Sequence, residues 1–304
     1  MPGKSGMNGA GDMEPGIHLW REGRTGLAEP LTPDGLATLH PAWAEAVAGH
    51  GPWREEGAWL VAATPVDTPV LIAGPCTSTQ DVLAALAGEL DLPAWTSLLS
   101  PVQRAGRGQL RRDWFSPPGN LYVSTLWPDL GRPWQTLLPL LAGVAAATAL
   151  RGLGVEAWVK WPNDVLVNGR KVVGILVEDR GGRIIVGTGF NCHWAPPAAD
   201  MRPGHIAPAG SLAEAGLALG PLALWLAVFP RMRAVVAGSL AGGPQSFVRE
   251  AEELLALLGR TVSVADGESR VTGRIAGLAP DGGLRLLQDD GEQVLYSGSV
   301  LDLY

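Results

Sequence analysis

An α+β fold that closes on a small β-barrel is what this 304-residue sequence predicts. Three observations carry it. First, Asn168-Gly169 stands between apolar runs at 165–167 and 172–177, and a second turn at 179–182 leads to another apolar run at 184–190. Asn-Gly between such runs is the strongest short hairpin signal, so residues 165–191 read as an antiparallel three-strand meander. Second, apolar runs with helical spacing lie on both sides of the meander. Third, from Arg260 the pattern changes to short strands at 261–264, 270–278, 283–288 and 293–303, with Asp266-Gly267, Asp281-Gly282-Gly283 and Asp290-Gly291 at the turns. About 45 residues at this spacing suggest a small barrel. Strands that merely extend the main sheet are the alternative.

In chain order, residues 1–16 are Gly-rich and read as a disordered tail. Residues 17–70 hold scattered helix and strand signals, such as the apolar run 58–63, and no role is legible in them. Residues 1–57 carry four basic against eight acidic side chains, with no helix-turn-helix pattern ending in a basic helix. Ser78-Thr79-Gln80-Asp81 opens a helix: Ser78 is the cap and Asp81 holds the capping-box position. Val82, Leu83, Leu86 and Leu90 then fall on one face. The run 137–150 reads as a buried helix that tolerates Pro139 near its start. On the second meander strand, Lys171, Val173, Ile175 and Val177 alternate onto one face. Two helices follow, 222–236 interrupted by Pro230 and 247–258 stopped by Gly259.

Composition narrows the function. The net charge of -7 argues against a general nucleic-acid binder, whose footprint is basic. Cys76 and Cys192 are too far apart for metal-ligand spacing and suit a reducing compartment. The five histidines form no H-x-x-H pair. The N-terminal stretch has no apolar signal region, and no run reaches a membrane span free of charges and breakers. A soluble cytoplasmic protein is expected.

Three features point to chemistry. Residues 103–114 pack Arg104, Arg107, Arg111 and Arg112 with Gly106 and Gly108 into a dozen positions. Glycine lets backbone N–H groups approach a ligand, and arginine forks grip phosphate or carboxylate. The stretch is either a loop that closes over a phosphate-bearing small molecule or a solvated charged turn. Ser78 and Thr79 sit at a helix N-terminus, which is an anion or carbonyl site or simply a cap. Lys171 either points into a cavity lined by its strand face or snorkels out at the strand end.

Together these residues resemble the biotin protein ligase family, also called biotin–[acetyl-CoA-carboxylase] ligase, in its form without a DNA-binding domain. The resemblance runs from about Thr77 to Tyr304 and rests on four stretches in order. They are Ser78-Thr79; Gln103 through Gly106-Arg107-Gly108 to Trp114 and the strand ending at Ser124; Lys160-Trp161-Pro162-Asn163-Asp164 with Arg170-Lys171 and Gly174 through Glu178; and Gly187-Thr188-Gly189-Phe190-Asn191. The resemblance implies a catalytic domain at 71–258, a mixed and largely antiparallel sheet flanked by helices, and an SH3-like β-barrel at 259–304. It implies that biotin and ATP form biotinyl-5′-AMP and pyrophosphate, and that the acyl group then passes to a lysine of a biotin carboxyl carrier protein.

Residue by residue, the resemblance makes Arg107 and Lys171 the catalytic cations. It places Ser78, Thr79, Gln80, Gln103, Arg107, Gly108, Gln109, Lys171 and Gly174 on the biotin side, with the apolar face around Val173 and Ile175 holding the bicycle and valeryl chain. Gly106, Arg107, Arg111, Arg112, Trp114, Asn163, Asp164, Lys171 and Asn191 fall on the ATP and adenylate side. Mg²⁺ would be held by ATP phosphates and water rather than by a dedicated protein site. No nucleic acid or membrane partner is expected, and the meander edge is open at this stage to pair with a second copy. The chain also departs from the family. Gln109 replaces an arginine, Arg111 replaces a glycine, and Asp113 adds a negative charge. The expectation is that Arg111 or Arg112 supplies the missing cation; a loop that leaks its adenylate is the alternative. Two other classes are a lipoate or octanoyl transferase relative and a non-catalytic biotin or adenylate sensor. The loop, the Lys160–Asp164 stretch and the C-terminal strands argue against the first, and retention of Arg107 and Lys171 against the second.

Overall fold

The computed structural model describes residues 13–109, 112–197, 207–266 and 269–303. The disordered-tail expectation falls mostly on residues 1–12, outside the described residues. Fifteen strands and six helices follow in the described chain. The principal sheet has ten strands in the order β2-β3-β1-β4-β5-β6-β10-β9-β8-β7. They are β1 (Gly16–Trp20), β2 (Trp53–Glu56), β3 (Trp59–Ala62), β4 (Pro69–Ile72), β5 (Ser97–Ser100), β6 (Leu121–Trp127), β7 (Ala157–Lys160), β8 (Asp164–Val167), β9 (Arg170–Asp179) and β10 (Ile184–Phe190). Only β1/β4 and β4/β5 pair in parallel, so the sheet is mixed, as the sequence reading expects.

The meander is β8-β9-β10. Asn168 and Gly169 both take positive φ, 50° and 71°, as a tight two-residue hairpin turn requires. The meander is not at a sheet edge, however: β10 pairs with β6 and β8 with β7. The open edges are β2 and β7, which corrects the idea of a free meander edge. Even β7 is partly closed, because the Val159 N–H donates to Leu254 and its carbonyl accepts from Ala256.

Residues 17–70 supply β1, β2 and β3 with α1 (Pro33–Leu39) and α2 (Pro41–His50). β1 lies inside the sheet, between β3 and β4. Thr32 caps α1, its hydroxyl accepting from Gly35 N at 3.0 Å, and His40 Nδ1 caps α2 through Ala42 N at 3.2 Å. A fully buried Trp43 docks this pair on the core.

Strand alternation sends side chains to two faces. One face carries Val70, Ile72, Leu99, Val123, Val173, Ile175 and Val186 against α4 (Leu138–Arg151), α5 (Pro221–Gly242) and α6 (Pro244–Glu253). The other carries Leu71, Leu98, Leu126 and Ile185, covered by Val82, Leu83 and Leu86 of α3 (Thr79–Glu89). Each such buried aliphatic side chain contributes about 1.5–3 kcal/mol. α5 runs unbroken through Pro230, where the sequence suggests an interruption. Its buried stripe Leu222, Trp225, Phe229, Met232 and Val236 offsets the missing backbone donor. The helix is long and apolar enough to cross a membrane. That stripe packs against the domain's core, and Arg231 and Arg233 flank it.

The C-terminal unit has five strands rather than four: β11 (Thr261–Asp266), β12 (Ser269–Leu278), β13 (Leu284–Gln288), β14 (Gly291–Leu295) and β15 (Ser299–Leu303). The last predicted strand is broken at Gly298, whose φ is 132°. The order is β14-β13-β12-β11-β15, all antiparallel, with two irregularities that bend it. Among the described residues no β14–β15 pairing closes a barrel. The unit shares its core with the main domain and is pinned to it by Trp161 Nε1 donating to Gly282 O at 3.0 Å and Leu278 N donating to Glu252 Oε2 at 2.8 Å.

Candidate active site

α3 covers only half of its sheet face. Beyond it, over β6, β10, β9 and β8, lies a cavity of about 340 Å³. Its floor is backbone, because the alternating positions that face it include Gly187 and Gly189 on β10 and Gly174 on β9. A side chain at any of the three would collide: a Cβ at Gly187 meets the Gln80 amide at 2.9 Å, and Cβ atoms at Gly174 and Gly189 meet the Trp114 ring at 2.6 and 2.5 Å.

Lys171 reaches this floor by a route that simple alternation misses. The β8/β9 register shifts between Val165 and Leu166, so Val165 faces Val173 while Leu166 faces Lys171. Val172 is the extra residue, and the bulge turns Lys171 onto the side of Gly174 rather than that of Val173. Residues 208–210 bond β9 at this point, Pro208 O accepting from Lys171 N at 2.8 Å. The expectation that Lys171, Val173, Ile175 and Val177 share a face is therefore corrected. Val173 and Ile175 belong to the helix-side core; Ile175 still borders the cavity, Val173 does not, and the glycine floor and Trp114 supply the rest of the wall expected from the pair.

The N-terminus of α3 forms one wall. Ser78 is the N-cap by position, but its side chain makes no capping bond. Gln103 does that work: its Oε1 accepts from Thr79 N at 2.9 Å and from Thr79 Oγ1 at 3.1 Å, and its Nε2 donates to Ser116 Oγ at 3.0 Å. Thr79 Oγ1 also lies 2.8 Å from Ser124 Oγ, and Gln80 Nε2 donates to Leu176 O at 2.9 Å. Asp81 is not a capping-box partner. It accepts a two-point fork from Arg107, Nη1 to Oδ2 and Nη2 to Oδ1, both 2.7 Å. The Arg107 fork outweighs burial and, with Arg180, holds the Asp81 carboxyl below its usual range.

The arginine-glycine stretch is a compact hairpin over the cavity. Trp114 N donates to Gly106 O at 2.8 Å and Gly108 N to Arg112 O at 2.7 Å. Gly106 is obligatory, since its Cβ would lie 2.4 Å from Trp114 O. Gln109 and Asp113 line the cavity, and Arg112 Nη2 donates to Ser299 Oγ at 2.8 Å, tying the hairpin to the C-terminal unit. Arg111 lies outside the described residues. The Trp114 ring covers the Gly174–Gly189 floor 5.2 Å from Lys171 Nζ. Its indole N–H is buried with no partner among the described residues.

Opposite stand three charges. Lys171 Nζ is 2.6 Å from Asp164 Oδ1, and Lys160 Nζ is 3.4 Å from Asp164 Oδ2. Burial pushes the Asp164 carboxyl up, but the two ammonium groups outweigh it and hold the carboxyl low. Burial pushes Lys160 down, against the pull of Asp164. Asn163 and Asn191, both buried, spend donors on backbone: Asn163 on Ile175 O, Asn191 on Gly210 O at 3.1 Å. The arrangement presents two ammonium groups, an arginine-bearing hairpin and a smooth slot to an anionic, elongated ligand. Gly174 was expected at the site and lines the cavity, whereas Lys160, Asp81, Glu178, Arg180, Ser299 and the floor glycines Gly187 and Gly189 escaped the sequence reading of the site. They meet across more than 90 residues of chain, and only the parity of Gly187 and Gly189 carried a local signal.

Comparison with known proteins gives a consistent picture. The Biotin/lipoate A/B protein ligase family pattern matches residues 74–193, and the Biotin protein ligase C terminal domain matches 257–301. The chain is 33% identical over 235 residues to the bifunctional ligase/repressor BirA of Escherichia coli (strain K12), covering 74% of this chain and 71% of that protein. It is 33% identical over 236 residues to the biotin--[acetyl-CoA-carboxylase] ligase of Paracoccus denitrificans, covering 73% and 96%. Its fold is similar to the biotin protein ligase from Aquifex aeolicus solved with biotin and ATP, with a TM-score of 0.65, 29% identity and coverage of 78% and 98%.

Proposed function

Because the chain belongs to the biotin protein ligase family, we propose that its glycine-floored cavity joins biotin and ATP as biotinyl-5′-AMP and hands the biotinyl group to a lysine of a biotin carboxyl carrier protein. In the first step a biotin carboxylate oxygen bonds the α-phosphorus and pyrophosphate leaves. In the second, the neutral amine of the acceptor lysine bonds the acyl carbon and AMP leaves with the carboxyl oxygen. Both reactants of the first step are anions, so the protein's task is to neutralise and align them. The observation that carries this reading is Lys171, set by its bulge over the open floor beside Asp164 and Lys160. Asp164 keeps Lys171 oriented, and Lys160 offsets the carboxylate's charge so that the trio stays net positive.

Ser78, Thr79, Gln80 and Gln103 line the cavity with the hydroxyls and amides that suit a biotin head group, and Trp114 covers the floor of the slot. Arg112 takes the part of the cation that Gln109 lacks, braced by Ser299. Asn163 and Asn191 act by fixing backbone rather than by offering their donated hydrogens. Mg²⁺ would ride on the ATP phosphates and water and there neutralise phosphate charge. That fits a site in which no three metal-ligating side chains converge among the described residues and Asp164 is engaged by two lysines. Residues 17–70 serve as part of the catalytic sheet. We place the reaction in the cytoplasm, in keeping with Cys76 and Cys192, both buried and unpaired, with burial pushing their thiols up to about 11 and about 12.

Lys171→Ala tests the reading. Biotin-dependent pyrophosphate release from ATP is expected to fall by at least roughly a hundredfold, the scale of losing one charge stabiliser, with the melting temperature little changed. Unchanged release would make Lys171 a strand-end lysine and remove the assignment.

A further inference from the structure

Four side chains on the cavity's α3 side form a network that the reaction alone does not explain. Arg107 forks onto Asp81 at 2.7 Å twice, and its Nη2 is also 3.7 Å from Glu178 Oε2. Arg180 reaches both carboxylates: Nη2 donates to Asp81 Oδ1 at 3.2 Å and to Glu178 Oε2 at 2.8 Å, and Nε donates to Glu178 Oε2 at 3.1 Å. All four are about one-third exposed or less.

The two arginines are held differently. Arg107 sits in the 106–114 hairpin, which is tied to the rest of the protein through Arg112 on Ser299 and Trp114 over the cavity floor. Arg180 sits in the β9–β10 turn, fixed by Arg180 N to Arg183 O at 2.9 Å and Gly182 N to Asp179 Oδ1 at 2.7 Å. The structure thus shows Arg107 with the outer edge of its guanidinium already spent on protein carboxylates. An anionic ligand must draw Arg107 off Asp81. Without another cation, that would leave two part-buried carboxylates facing each other, which is costly. Arg180 removes the cost, because each carboxylate keeps a bond to it when Arg107 leaves.

We propose that Arg180 is a positioning residue that releases Arg107 to the ligand, standing in for it on Asp81 and Glu178. This rests on the proposed function, in which Arg107 serves the carboxylate and phosphate. The exchange makes no covalent change; one ion pair replaces another. A purely structural clip would behave differently, since every contact removed from it would only weaken the site further.

The test is biotin affinity by calorimetry on the full chain, with biotinyl-5′-AMP formation in the absence of carrier as a second readout. Arg180→Gln is expected to weaken biotin binding and slow adenylate formation by roughly tenfold, the scale of coupling within one charge network, with the melting temperature held. Adding Asp81→Asn to Arg180→Gln is expected to recover most of that loss, because it frees Arg107 from its stronger hold. Equal affinity of Arg180→Gln and wild type, or a double variant no better than Arg180→Gln, overturns the proposal. A wild type that binds biotin but forms no adenylate overturns the proposed reaction, while the affinity series still decides the role of Arg180. A wild type that binds neither biotin nor ATP overturns both.

Discussion

Gly174, Gly187 and Gly189 make the floor by having no side chains; Trp114 lies over Gly174 and Gly189, and Gln80 over Gly187. This is why Gly189→Ala is expected to act on the ligand more than on the fold. Its Cβ would stand 2.5 Å from the indole, forcing Trp114 off the floor and narrowing the slot. Overpacking of this kind costs about 1–3 kcal/mol. Because the displaced ring borders the cavity, titration with biotin is expected to show affinity reduced by roughly tenfold, with thermal unfolding shifted by only a few degrees. Binding as tight as wild type would mean the ring is no part of the slot. At this scale Arg107 and Lys171 were legible in the sequence, because charged residues inside Gly-rich or apolar runs stand out. The face that Lys171 occupies was not legible, because one extra residue, Val172, reverses parity and a bulge leaves no local mark. Asp81 was misread for a related reason. The capping-box spacing was present, but Arg107, 26 residues later, offers its carboxylate a charged fork in place of a neutral backbone N–H.

Among elements, the meander was the most legible, since Asn168-Gly169 specifies both turn and register. The place of the meander within the sheet was not, because strand order depends on partners far along the chain. Asn120, at the head of β6, shows how that order is held. Its Oδ1 accepts from Cys192, His193 and Trp194 N–H groups at 2.9, 3.1 and 3.1 Å, and its Nδ2 donates to Trp194 O at 2.9 Å. One fully buried side chain therefore ties the chain leaving β10 to the start of β6. Asn120→Ala strands three donors and one acceptor, and a loss of about 2–4 kcal/mol is expected in chemical denaturation. A loss under about 0.5 kcal/mol would mean that water replaces the side chain in full.

At the scale of the whole molecule, the ten-stranded sheet joins parts that the sequence presents as separate. The family pattern begins at residue 74, yet β1 lies inside the sheet, and Arg104, just ahead of the hairpin, pairs with Glu29. At the other end, Ser299 holds Arg112 and Gly282 holds Trp161. The cavity thus draws on α3, the meander, the hairpin and the C-terminal unit together, which fits an enzyme that must hold a labile adenylate until its acceptor arrives. The measurement that tests this account most directly is the intact mass of a biotin carboxyl carrier domain incubated with the protein, biotin and ATP. The carrier is expected to show a single mass gain equal to one biotinyl group, with stoichiometric AMP, lost when ATP is omitted or when Lys171→Ala replaces the wild type. A folded wild-type protein that leaves the carrier's mass unchanged would contradict it.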